Sequence, residues 1–158
     1  MKIIKVIATL LVFCLLFGCG YEPIYSKKKL NKQYDFSINS IGFTGENKVN
    51  LALKNNLKNY LDNKEKKVKF DLIINSIVEK TVSSKNKKGD PEIFSMKITV
   101  NLNVFENSNI KNKSTLEENF EYKNKSNKFE LNKYESNIQD DLASKLSDSI
   151  IEVLLTLK

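Results

Sequence analysis

The chain has 158 residues, 41% of them hydrophobic and 28% charged, with no His, no Trp and two Cys. That length suits one domain, and the absence of His removes the commonest general base and the commonest metal ligand together; no catalytic residue, no metal site and no cofactor is expected. All 26 basic residues are Lys, and Lys enriched with Asn in the absence of Arg is the product of an AT-rich coding sequence, so the formal charge of +7 does not argue for nucleic acid.

Residues 1–18 read as a secretory signal. Lys2 and Lys5 form the positive n-region, Ile3 to Phe17 is nearly all apolar, and Gly18 is a small residue at a cleavage site. The apolar run from Val6 is shorter than the roughly 20 residues that span a bilayer. Leu16-Phe17-Gly18-Cys19 resembles the bacterial lipobox, which makes Cys19 the lipidation site and the first residue of the mature chain. Cys14 leaves with the signal, so no internal disulfide is expected. Multiple acyl chains on Cys19 exceed what stable anchoring needs. Gly20 in place of Asp, by resemblance to lipoprotein sorting signals, implies release to the outer membrane. Nucleic acid is excluded by compartment. Residues 19–33, with Pro23 and Lys27-Lys28-Lys29, read as an extended tether, and residues 34–158 as a single domain.

Within that domain, alternation predicts a first strand over Tyr34–Ile41, broken by Gly42-Phe43-Thr44-Gly45. A helix follows over Asn47–Asp62, with Asn47 as N-cap and Val49, Leu53, Leu57, Tyr60 and Leu61 as its apolar stripe. A second strand spans Val68–Ser83, with Val68, Phe70, Leu72 and Ile74 on one face, later joined by Val78 and Val82. Ser84–Pro91 is a polar tip with Gly89 and Pro91 as turn residues. The third strand, Glu92–Glu106, alternates most cleanly, and Asn107–Asn112 is a turn. The fourth, Ser114–Lys123, shows Leu116, Phe120 and Tyr122 on one side. The closing helix is predicted over Lys133–Leu157, capped by Asn132 with Glu135 completing a capping box. The fold class is α+β: two helices on one face of a four-stranded, mostly antiparallel sheet, in the order β-α-β-β-β-α. The first crossover makes strand one parallel to its neighbour and right-handed.

Three features invite a chemical reading. The stretch Gly42–Gly45 lies where phosphate loops lie, but the Lys-Ser/Thr pair such a loop needs is replaced by Glu46-Asn47, so an ordinary turn is expected. Asp140-Asp141 and Glu117-Glu118 are adjacent, and adjacent residues on a helix or strand diverge. Lysines cluster at Lys27-Lys28-Lys29, at Lys64, Lys66 and Lys67, and in the tip at Lys85, Lys87 and Lys88. Two readings of the tip stand: solvated turns in a Lys-biased sequence, or contact with the phosphates of an anionic lipid headgroup.

Cys19-Gly20-Tyr21-Glu22-Pro23-Ile24-Tyr25 resembles the opening of the mature lipopolysaccharide-assembly lipoproteins, the LptE family, whose length and order of elements also match. The resemblance implies a non-catalytic lipoprotein, anchored in the outer membrane with its domain on the periplasmic side or within a barrel. It implies the β-barrel protein LptD as partner, which the lipoprotein plugs and helps to assemble, and lipopolysaccharide as a ligand, contacted here through Lys85, Lys87 and Lys88. The departure is the missing Arg, the side chain that holds phosphate bidentately. A periplasmic lipoprotein serving another envelope complex, as adaptor or pilotin, differs only in partner. A lipid-carrying enzyme or transfer protein would need an enclosed cavity or a catalytic set.

Overall fold

The computed structural model describes residues 34–61 and 66–157. Cys19, the signal, the tether with its three lysines, and Lys64 lie outside the described residues. The elements are β1 (Phe36–Gly45), α1 (Asn47–Leu57) continued by a short 3-10 turn (Lys58–Tyr60), β2 (Val68–Lys85), β3 (Pro91–Glu106), β4 (Asn109–Lys123) and α2 (Lys128–Thr156). One sheet runs β1-β2-β3-β4. β1 is parallel to β2, and the other two pairings are antiparallel. The predicted fold class is the one found.

The core follows from alternation. Phe70, Leu72 and Ile74 of β2 and Met96, Ile98, Val100, Leu102 and Val104 of β3 are buried on the face that meets Val49, Leu53 and Leu57 of α1 and Leu142, Leu146, Ile150 and Leu154 of α2. Period-2 strands and period-3.6 helices thus present one apolar surface each, and each covers the other. The opposite sheet face is largely polar but carries Ile73, Ile77 and Ile110, which stay 46%, 43% and 53% exposed, and Phe105 paired with Ile110. Val82 does not join the core as predicted, being 43% exposed. β1 stops opposite Ser76, so residues 77–85 of β2 have no described strand on that side.

β1 runs four residues past its predicted end. Gly42 fits within the strand, opposite Ile73, and the chain turns only at Gly45, whose φ is +89°. That turn moves the cap of α1 from Asn47 to Glu46, which is extended and makes no side-chain cap bond. The helix start is held from β2 instead. The Glu46 amide donates to the Ser76 carbonyl at 3.1 Å and meets the Ser76 Oγ at 3.0 Å. Ser76 Oγ donates to Asn50 Oδ1 at 2.8 Å, and Asn50 Nδ2 donates to the Thr44 carbonyl at 3.0 Å. Buried Ser76 and Asn50 therefore satisfy each other while tying strand to helix. The helix ends at Leu57, before its predicted limit, and Leu61 has left it to bridge Ile38.

A bulge in β1 falls between Ile38 and Ser40 and keeps Ile38 and Ile41 both on the helix side of the sheet. It is clamped by Asp71 Oδ1, which accepts from Ser40 Oγ at 2.6 Å and from Asn39 Nδ2 at 2.7 Å. The Ser40 bond, then the Asn39 bond, hold the Asp71 carboxyl below its ordinary value. A depressed folded value contributes stability above the unfolded value, near 3.9, that disappears as pH falls through the folded one. Asp71→Asn should therefore lower the melting temperature at pH 7 and converge on wild type in acid, as thermal melts across that range will read. A constant difference at all pH values would disconnect the carboxylate from the clamp.

The other boundaries shift for local reasons. β3 and β4 join through Asn107 and Ser108 alone, with φ of 49° and 65°, the left-handed pair of a two-residue hairpin. β4 consequently starts at Asn109 rather than Ser114. α2 begins five residues before its predicted start: Asn127 Oδ1 accepts from the amides of Phe129 at 2.9 Å and Glu130 at 3.3 Å. Glu135 completes no capping box; it faces β2 and β4, accepting from Lys80 and Tyr122.

Candidate functional site

At the end of the sheet remote from the start of β1, two loops meet. The β2–β3 turn is built by Asn86, whose Oδ1 accepts from the Lys88 amide at 2.8 Å and the Asp90 amide at 3.0 Å. The Asn86 amide also donates to the Asp90 carbonyl at 2.9 Å. This asparagine turn lets Gly89 take φ +89° and leaves Lys85, Lys87 and Lys88 exposed. The β4–α2 loop is fastened beside it. The Asn124 amide donates to the Glu92 carbonyl at 2.8 Å, and its side chain donates to the Pro91 carbonyl at 2.9 Å.

Between the two loops lies an open concavity of about 420 Å³ lined by Asn86, Asp90, Glu92, Lys123, Asn124 and Lys125. Topology thus adds exposed Lys123, Lys125 and Lys128 to the three predicted lysines. Sequence reading left them out because they belong to a different turn. The meander itself was the available signal, since the end of β4 must lie beside the start of β3. Phe129, in the first turn of α2, is 76% exposed at the same end.

These lysines differ from Lys80 and Lys97 on the body of the sheet, which are neutralised in place. Lys97 lies 3.1 Å from Glu79 and 3.7 Å from Glu117, and the Glu79 bond leads in raising its ammonium above the ordinary value. Lys80 lies 2.6 Å from Glu135 and 4.2 Å above the Phe94 ring. Glu135 also accepts from the Tyr122 hydroxyl at 2.8 Å, and burial, then Glu135, push that hydroxyl above its ordinary value. Among the described residues, Lys85, Lys87 and Lys88 have no carboxylate within ion-pair distance. Lys125 of the second turn lies 4.7 Å above the Tyr134 ring. Exposed ammonium groups on two fastened turns can receive a polyanion, each as a point charge, with Asp90 and Glu92 offsetting part of the field.

Asp140 and Asp141 are both exposed on α2, one residue apart, and Glu117 and Glu118 point to opposite faces of β4. Neither pair converges. Gly42–Gly45 is the end of a strand and its turn.

No family model matches the chain, and no curated protein sequence matches it. Solved structures are similar to it. Rare lipoprotein B from Shewanella oneidensis superposes with a TM-score of 0.58 at 11% identity, over 75% of this chain and 95% of that one. A minor lipoprotein from Acinetobacter baumannii gives 0.57 at 16% identity, over 76% of this chain and 91% of that one. At such identities the likeness establishes a shared fold.

Proposed function

We propose that this chain is a lipoprotein anchored through Cys19 in the outer membrane, where it partners and plugs an LptD-like β-barrel during lipopolysaccharide transport. The observation that carries this reading is the fold shared with two solved lipoproteins over about three quarters of this chain and nearly all of theirs. It is joined by the lipobox ending in Cys19 and the seven-residue stretch that resembles mature LptE. In this reading the chain catalyses nothing and acts by occupying and positioning. Affinity capture of the chain from detergent-solubilised outer membrane should return an LptD-like barrel in stoichiometric amount. Capture of a different envelope complex would make the chain an adaptor or pilotin.

The lysine end then faces the passing glycolipid. Each exposed ammonium against a phosphate gains a few tenths to about 1 kcal/mol, so Lys85, Lys87 and Lys88 together should alter affinity by roughly tenfold at low salt. Screening removes most of this at high ionic strength. The triple change to Ser should weaken lipopolysaccharide binding by that factor without shifting the melting temperature or barrel capture. Unchanged low-salt affinity would leave the tip a solvated turn.

A further inference from the structure

The concavity between the β2–β3 turn and the β4–α2 loop is balanced in charge. Asp90 and Glu92 line it with two carboxylates, and Lys123 and Lys125 line it with two ammonium groups. Its volume of about 420 Å³ falls within the span of small-ligand sites. Lys85, Lys87 and Lys88 do not line it. Opposite charges in so small a space ordinarily close on one another, as Lys80, Lys97 and Lys111 do with glutamates elsewhere in this domain. Here they do not. The Asp90 carboxylate accepts from the Asn86 side-chain amide at 3.2 Å, and the Lys125 ammonium stands over the Tyr134 ring. Among the described residues, the Glu92 and Lys123 side chains have no polar partner. Both loops are fastened by their asparagines, so the two signs of charge are presented from held walls.

A neutral site with its charges kept apart rejects simple ions. An anion drawn to the lysines meets two carboxylates, and a cation drawn to the carboxylates meets two lysines. A ligand that carries both charges satisfies both walls. Three features narrow its class. Ammonium groups acting as point charges suit a phosphate. Carboxylates accept N–H bonds from a primary ammonium, whereas a quaternary ammonium is held on aromatic faces, and no aromatic ring lines the concavity. Phe129 follows Ser126 of the lining by three residues and is largely exposed, which offers an apolar contact beside the site for the lipid part of a ligand.

We infer that this concavity binds a phosphoethanolamine group, with its phosphate toward Lys123 and Lys125 and its primary ammonium toward Asp90 and Glu92. Phospholipid headgroups carry this chemistry, and so do glycolipids substituted with it. The inference needs only that this end of the domain be open, which the proposed function also requires. It uses none of the three tip lysines.

Nuclear magnetic resonance titration of the full chain in a phosphate-free detergent tests it, read at the backbone amides of Asp90, Glu92, Asn124 and Lys125. Phosphoethanolamine should bind roughly fivefold more tightly than inorganic phosphate, ethanolamine, phosphocholine or glycine. Asp90→Asn with Glu92→Gln should abolish that preference, so that phosphoethanolamine and phosphate bind alike. Lys123→Gln with Lys125→Gln should weaken phosphoethanolamine by a similar factor. The triple change of Lys85, Lys87 and Lys88 to Ser should leave it unaltered, which separates this site from the tip. Short-chain phosphatidylethanolamine, and lipopolysaccharide with and without the substituent, identify the source. A phospholipid source gives a gain over the free group that Phe129→Ser removes; a glycolipid source gives tighter binding of the substituted form. Equal affinities for phosphoethanolamine and phosphate in wild type overturn the inference. So does a preference for glycine or phosphocholine, or indifference to loss of the two carboxylates.

Discussion

Gly45→Ala will destabilise the domain by at least about 4 kcal/mol, a cost in the exceptional range for a single substitution. Two effects act together. The backbone at Gly45 holds φ at +89°, and a Cβ added there would stand 2.0 Å from the Ser76 carbonyl oxygen. That oxygen belongs to the β2 backbone and accepts the Glu46 amide that starts α1, so it cannot retreat without opening both the parallel pairing and the helix start. Against a total of about 5–15 kcal/mol, the variant should be largely unfolded at body temperature or melt well below wild type. Gly42→Ala is the control, because its Cβ would meet only ordinary contacts at 3.9 Å. Thermal denaturation of both variants decides the matter; equal melting temperatures would show that the corner yields.

Leu146→Ala will cost about 2–5 kcal/mol. Leu146 is fully buried in the stripe of α2 that crosses the sheet, between Leu142 and Ile150. Removing its methyl groups leaves a cavity bounded by both helices and the sheet, which cannot all close inward together. Lys145→Ala, one residue away on the exposed side, should stay within about 0.5 kcal/mol. Denaturant midpoints for the pair test it, and similar values would mean the stripe is turned elsewhere.

How much of this was legible depended on how far each signal reached along the chain. Phe94 to Val104 alternate without a break, so β3 and its facing could be read directly. Boundaries were less legible because two local solutions were available. Asn-x-x-Glu occurs twice before the closing helix, at Asn127/Glu130 and Asn132/Glu135, and nothing local distinguishes them. Tertiary partners do: Lys80 and Tyr122 take Glu135, leaving Asn127 to cap. The bulge at Ile38/Ser40 was equally hidden, since Asp71 lies about thirty residues away. At the candidate site, sequence supplied the three lysines of one turn, and the three of the other came only with the strand order.

The arm formed by the far ends of β2 and β3 has a consequence for how this chain can vary. Past Ser76 it is supported by neither β1 nor the α1 corner, and its pairing with β3 is regular up to Val82. Because side chains alternate with a period of two, inserting two residues in each strand at the tip lengthens the arm by about 6.6 Å and returns every remaining residue to its original face. A change of one residue per strand would turn the tip over. Placed beyond Val82 and before Ile93, such paired insertions let the lysine turn drift in discrete even steps while the Lys80–Glu135 contact with α2 and the pairing of β3 with β4 are kept.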